Sequence, residues 1–208
     1  AWVQLERDGY VGYVNANALS AEILVPTHRV AVPSTFLYSG PNLKSQPAII
    51  LTLNARVAVT EHDEKFARLS NGWFIFTAHL KPVESPEADF VAVAEMFRHA
   101  PYYWGGKSVH GLDCSGLVQL ALEACGSPCL RDSDMQETSL GQPVLANDLD
   151  SLKRGDLVFW KGHVGIMTDA AMLIHANGHT MTVAMEPLAA AVERIGYLYA
   201  KPTLFRRP

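Results

Sequence analysis

Cys114 stands between Asp113 and Ser115 at the head of the run CSGLVQLALEA, in which Leu117, Leu120, Ala121 and Ala124 recur at helical spacing. The pattern predicts a helix that starts near Cys114, is capped by Asp113 and stops at Gly126. A thiol on the first turn of a helix meets unpaired N–H groups and partial positive charge, which favour the thiolate and lower its pKa. A nucleophile also needs a base within reach, and the base needs a third group to orient it. His163 opens the strand-like run HVGIMT and His175 sits within the next one, MLIHAN, with a turn expected around Asp169 to Ala171. In an antiparallel hairpin the two imidazoles can lie on one face, one serving as base and the other as its orienter.

Each residue type has a plainer reading. A lone cysteine is commonly a small buried hydrophobe, and Cys125 and Cys129 are read that way. His28, His62, His79, His99 and His179 are read as surface or satisfied core residues. Zinc competes for Cys114, Cys125, Cys129, His163 and His175. However, Cys114 and Cys125 would stand at opposite ends of one helix, about 16 Å apart at 1.5 Å per residue, too far for one tetrahedral site. No metal or other cofactor is expected.

The elements that must position these residues fall into two textures. The first 84 residues carry short β-branched and aromatic runs broken by turn signals, including the hairpin pair Asn71-Gly72 and the earlier Asp8-Gly9. Residues 7–19 and 70–80 look like one unit repeated, a turn, an aromatic residue, apolar residues and a closing Leu, so residues 1–20 are read as the tail of an earlier module whose first half is missing. From Ser85 the texture turns helical: Ser85 as cap, Pro86 at the first helical position, and Phe90, Val93, Ala94 and Phe97 on one face before Pro101. After the second helix and a polar loop come DLVFW, HVGIMT, MLIHAN and TVAMEP as strands, with GYLYA as a possible fifth. Helices followed by consecutive strands predict an α+β domain with an antiparallel sheet.

With 208 residues, 49% of them hydrophobic, the chain can fill a real core. Its net charge of −4, from 17 basic and 21 acidic residues, lacks the footprint of a nucleic-acid binder. No run approaches the roughly 20 apolar residues needed to span a bilayer, so no membrane partner is expected. Three cysteines are too few and odd in number for a disulfide framework, which favours a reducing compartment.

Six segments in order, PYYWGG, GLDCSGLV, RDSDMQ, KRGDLVFW, GHVGI and LIHAN, together resemble the NlpC/p60 cell-wall cysteine peptidases. The resemblance covers residues 86–200, and residues 26–84 look like the bacterial SH3 domains that often precede such a catalytic domain. The organisation it implies is a remnant of a first SH3 module at 1–20, an all-β SH3-like barrel at 26–84 and a papain-like α+β catalytic domain at 85–208. It further implies hydrolysis of the γ-D-glutamyl to diamino acid bond of murein peptides, with Cys114 as nucleophile, His163 as general base and His175 as the orienting third residue. The oxyanion would meet backbone N–H groups at the helix start, that of Cys114 among them, helped by the Tyr102 hydroxyl.

Members with this arrangement resemble murein-peptide recycling enzymes that require a free L-alanine amino terminus. On that resemblance Tyr102, Asp113 and Ser115 hold the ammonium, Ser133 contacts the γ-D-glutamyl unit, and Arg131 either pairs with a substrate carboxylate or makes a structural salt bridge. Asp113 can cap the helix and receive the ammonium at once. Gly162, before His163, and Trp104, beside two glycines, fit a tight turn at the groove or plain packing equally well. The implied partner is an L-Ala-γ-D-Glu-diamino acid peptide in the cytoplasm. A lytic endopeptidase on intact sacculi and an inert wall-peptide-binding protein are the alternatives, and lysine against diaminopimelate stays open.

Overall fold

A computed structural model describes residues 1–145 and 149–208 in two compact units, one made of 1–5 and 11–86, the other of 6–10 and 87–208. The strands of the first unit are β1 (Trp2–Gln4), β2 (Val11–Tyr13), β3 (His28–Val30), β4 (Ser34–Tyr38), β5 (Pro47–Thr52), β6 (Arg56–Val57), β7 (Val59–His62), β8 (Phe66–Leu69), β9 (Phe74–Phe76) and β10 (Leu80–Pro82). All pairings are antiparallel: β1 with β2, a sheet β10-β3-β6, and a sheet β5-β4-β9-β8-β7. Val30, Leu37, Val57, Ala67, Leu69 and Ile75 bury against one another as its core. The repeat seen in the sequence takes one local form twice. β2 leads to a 3₁₀ turn at Ala16–Ala18 and then Leu19, and β9 leads to a 3₁₀ turn at Thr77–His79 and then Leu80. Between β8 and β9 only Gly72 is left-handed (φ 86°), while Asn71 accepts a hydrogen bond from the Trp73 N–H. The turn is therefore not the doubly left-handed type that Asn-Gly suggests.

The second unit contains α1 (Phe90–Glu95), α2 (Cys114–Ala124), α3 (Ser133–Ser139) and α4 (Leu188–Leu198). Its strands are β11 (Lys107–Ser108), β12 (Gly111–Leu112), β13 (Gln142–Pro143), β14 (Leu157–Trp160), β15 (His163–Met167), β16 (Met172–Asn177), β17 (Thr182–Pro187) and β18 (Leu204–Arg207). Six of them form one antiparallel sheet in the order β13-β18-β14-β15-β16-β17. β14 is buried along its whole length, as are β15 and β16 beyond their first residues, as expected of strands covered on both faces. α2 packs on β15 and β16. Leu188, Ala191 and Ile195 of α4 close over Val158, Trp160, Met167 and Leu173.

Three expectations need correction. The first helix is capped by Asp89, whose carboxylate accepts from the N–H groups of Val91 and Ala92, so Ser85 and Pro86 lie outside it. The segment read as a polar loop holds α3, a short helix whose Gln136 is fully buried and donates to the carbonyls of Ser115 and Leu130. GYLYA is not a strand: its first residues finish α4, and the last strand is β18. Helical spacing of Leu188, Ala191, Val192 and Ile195 outweighs the β-propensity of the two tyrosines.

The start of α2 sits so close to the preceding loop that a Cβ at Gly116 would overlap the Gly106 carbonyl oxygen and lie 2.9 Å from Asp113 Oδ1. Gly116→Ala is therefore expected to cost about 1–3 kcal/mol of stability by overpacking, read as a lower thermal midpoint. An unchanged midpoint would show that the loop yields freely.

Candidate active site

Asp113 is the N-cap of α2, its carboxylate accepting from the Gly116 N–H at 2.7 Å. It also accepts from the Gly105 N–H at 2.8 Å, from the Ser115 hydroxyl at 3.3 Å, and from both terminal nitrogens of Arg131 at 3.0 and 2.7 Å. Arg131 donates further to Ser115 Oγ and to the Gly106 carbonyl. The forked geometry matches a guanidinium to a carboxylate with both ions largely out of water, which ties the Tyr102–Gly106 loop and the approach to α3 onto the head of α2. Of the two readings of Arg131, the structure displays the internal salt bridge, and Asp113 meets any ligand with its charge already shared.

Cys114 follows at the first helical position, with 8% of its surface exposed. The N–H groups of Val164, of Ser115 and of Cys114 itself face the sulfur and would stabilise a thiolate. Burial outweighs them, and the Asp113 carboxylate adds to it, so the thiol is pushed up to about 11. The acidified thiol expected from a helix N-terminus is thus overturned, because a site that excludes water penalises the anion more than three amides reward it.

The contact with Val164 brings the head of β15 against the head of α2, and His163 is the residue before it. Lys161 and Gly162 form the two-residue link between the paired residues Trp160 and His163, with Gly162 left-handed at φ 75°. Met167 pairs with Leu173, and Leu173 with Glu186. Alternation along each strand then places His163, His175 and Glu186 on one face of the sheet. His163 Nε2 lies 2.8 Å from His175 Nδ1, and His175 Nε2 lies 2.7 Å from Glu186 Oε1. Arg194 of α4 hydrogen-bonds the same Glu186 oxygen.

This row fixes where the protons sit. The hydrogen bond from His175, together with Arg194, holds Glu186 below its usual range against a modest burial effect, so it is an ionised acceptor near neutrality. It therefore takes Nε2–H from His175. The His175 tautomer that gives Nε2–H to Glu186 presents a bare Nδ1, which accepts Nε2–H from His163. His163 is left with a free lone pair on Nδ1. Burial first, then His175 and Arg194, push His163 down to about 3, so it rests as the neutral base.

Tyr102 stands near Cys114 and Asp113; burial, then those two groups, raise its phenol. Ser115 is buried in the Asp113–Arg131 network, and Ser133, partly exposed, opens α3. Near the same network, Tyr10 of the 6–10 segment donates to Asp132 at 3.0 Å and Gln119 donates to Asp8 at 2.8 Å. Sequence reasoning missed Glu186, whose signal was a single acidic residue in the apolar run TVAMEP on the same strand face as Thr182 and Ala184. It also missed Arg194, which is visible only once α4 is known.

Residues 99–195 match the model of the NlpC/P60 family. The chain is 27% identical over 183 residues to the gamma-D-glutamyl-L-lysine dipeptidyl-peptidase of Bacillus subtilis (strain 168), covering 81% of this chain and 60% of that protein. It is 37% identical over 87 residues to dipeptidyl-peptidase 6 of Lysinibacillus sphaericus, covering 42% of this chain and 31% of that one. The crystal structure of an NlpC/P60 family protein from Bacillus cereus ATCC 10987 superposes with a TM-score of 0.71 at 27% identity, over 88% of this chain and 63% of the other. The chain therefore spans less than two thirds of the length of each of these relatives.

Two measurements check the electrostatics. With the thiol raised and the imidazole neutral, alkylation of Cys114 by iodoacetamide should accelerate steadily with pH through the neutral range and beyond. A rate already on a plateau at mildly acidic pH would reveal a preformed thiolate–imidazolium pair instead. ¹⁵N NMR at mildly alkaline pH should show Nε2 protonated and Nδ1 bare in both His163 and His175, with Glu186→Gln scrambling the His175 tautomer; an Nδ1–H on His175 in the native protein would refute the assignment.

Proposed function

We propose, from the match of residues 99–195 to the NlpC/P60 family model, that the chain is a cysteine peptidase that hydrolyses the γ-D-glutamyl to diamino acid bond of murein peptides. The observation that carries this reading is the continuous hydrogen-bonded row from His163 through His175 to Glu186, beside the head of the helix that bears Cys114. The names of the relatives supply the bond.

In this reading the Cys114 sulfur attacks the γ-carbonyl carbon while its proton passes to His163 Nδ1, so a thiolate need not exist before substrate arrives. The positive charge that develops on His163 is stabilised through His175 by Glu186. N–H groups at the helix start, that of Cys114 among them, and the Tyr102 hydroxyl receive the oxyanion. His163 returns the proton to the departing amine as the carbon–nitrogen bond breaks, leaving a thioester on Cys114. Water, deprotonated by the same imidazole, then releases the acid. The row also sets an acid limit: a third proton on the histidine pair would reverse the bond between the rings and occupy the base.

The acyl side is read as L-Ala-γ-D-Glu with a free amino terminus beside Tyr102, Asp113 and Ser115, and with Ser133 toward the glutamyl unit. The activity is read as recycling of such free peptides in the cytoplasm. The β unit at residues 26–84 is read as a bacterial SH3-like domain and residues 1–20 as part of a preceding one.

Incubating the protein with L-Ala-γ-D-Glu-diamino acid tripeptide should release L-Ala-D-Glu, and Cys114→Ala should abolish release while its melting curve stays native. Because Arg131 already shares the Asp113 charge, N-acetylation of the alanine is expected to lower kcat/KM by about tenfold rather than to abolish turnover. Full activity of Cys114→Ala would remove the nucleophile assignment. Equal turnover of free and acetylated peptide would remove the ammonium site, and faster release from whole sacculi than from the tripeptide would favour the lytic alternative.

A further inference from the structure

Asn177 closes the segment LIHAN, yet neither the thiol nor the histidine row uses it. It ends β16 two residues after His175, pairs with Thr182 of β17 and is buried. Its Oδ1 accepts from the His179 N–H at 3.0 Å, the Thr180 N–H at 2.9 Å and the Thr180 hydroxyl at 3.2 Å. One carboxamide oxygen thus shapes the four-residue link 178–181, an asparagine gathering the backbone that follows it. The link ends on Met181, a left-handed residue (φ 53°) whose side chain is exposed. A non-glycine residue keeps that conformation only where its surroundings impose it, and an exposed side chain supplies little of the constraint.

The imposed conformation has a use, because the Met181 carbonyl accepts the Tyr102 N–H at 2.8 Å. Pro101 bridges to Thr182, the His99 N–H donates to the Val183 carbonyl at 2.9 Å, and the Val183 N–H donates to the Ala100 carbonyl at 2.8 Å. Residues 99–102 therefore run along the outer edge of β17, the last strand of the sheet. From its other side the same stretch meets β12: the Leu112 N–H donates to the Pro101 carbonyl, and the Leu112 carbonyl accepts the Tyr103 N–H. Asp113 and Cys114 come next in the chain. Tyr102 is thus fixed between the turn that Asn177 folds and the strand that delivers the thiol, with its phenol near Cys114 and Asp113.

We propose that Asn177 is a positioning residue: through the Met181 carbonyl it sets where the Tyr102 hydroxyl lies relative to the Cys114 sulfur, and so how well that hydroxyl meets the oxyanion. The inference rests on the peptidase reading above for the use made of Tyr102, and it has a readout independent of turnover. Asn177 Nδ2 has no hydrogen-bond partner among the described residues, so Asn177→Asp keeps the acceptor that shapes the turn, whereas Asn177→Ala removes it. The test joins a double-mutant cycle, on release of L-Ala-D-Glu from L-Ala-γ-D-Glu-L-lysine, to ¹³Cζ NMR titration of Tyr102. Tyr102→Phe is expected to lower kcat by about a hundredfold, and Asn177→Ala by about tenfold with KM held within about twofold. Asn177→Ala added to Tyr102→Phe should cost less than about twofold more, and Asn177→Asp should recover most of the native kcat. Burial, then Cys114 and Asp113, raise the Tyr102 phenol; it should fall toward its ordinary value in Asn177→Ala and stay raised in Asn177→Asp. Asn177→Ser, whose shorter hydroxyl cannot reach all three donors, carries the same comparison if Asn177→Ala does not fold. A native kcat in Asn177→Ala, a tenfold loss that persists in Tyr102→Phe, an Asn177→Asp no better than Asn177→Ala, or a Tyr102 titration that Asn177→Ala leaves in place overturns the positioning role. A native protein that releases no dipeptide, while the Tyr102 titration still moves, overturns the peptidase reading and leaves the positioning of Tyr102 standing.

Discussion

A carboxylate taken out of water must be surrounded by donors, and at Asp113 they come from separate segments: Gly105 from the loop before, Ser115 and Gly116 from the helix it caps, and Arg131 from the approach to α3. Losing any of these would leave part of a buried charge unanswered, so the segments are locked in register with one another. The position of the thiol follows from this lock, because Cys114 is the next residue. Gly116 is needed because the same lock brings it against the Gly106 carbonyl, and Gly106 because its own loop folds against the backbones of Gly111 and Tyr103.

The second half of the site depends on pleating rather than on a buried ion. Three adjacent antiparallel strands each contribute one residue to a single face, and alternation brings His163, His175 and Glu186 into a row. Rings held by strand registry lose little freedom when they bond, and the carboxylate at the end of the row dictates every proton position before it. Arg194 closes the row from α4, so the helix that seals the sheet also sets the charge at its far end.

The helix at Cys114, its Asp113 cap, the four strands after it and the pairing of two histidines on one face were legible because each follows from a local period or a capping rule. What was not legible depended on neighbours brought by the fold. Asp89 replaced Ser85 as cap because a helix starts where packing first buries its face, and α4 displaced an expected strand because its apolar stripe has a sheet to cover. The partner of Arg131 could be given only as one of two choices, since a salt bridge between residues 18 positions apart in sequence depends on where two loops meet. The direction of the Cys114 shift was misjudged for a related reason: the helix end is visible in sequence, whereas the depth of burial is not.

That depth has a chemical consequence of its own. Peroxides and disulfides react with thiolates, and the first step toward sulfenic acid slows in proportion to the fraction of sulfur left protonated. With its thiol held up near 11 and 8% exposed, Cys114 at rest is a poor target for oxidants. On the proposed peptidase reading, a sulfur that ionises only while handing its proton to a neighbouring ring stays reduced between turnovers.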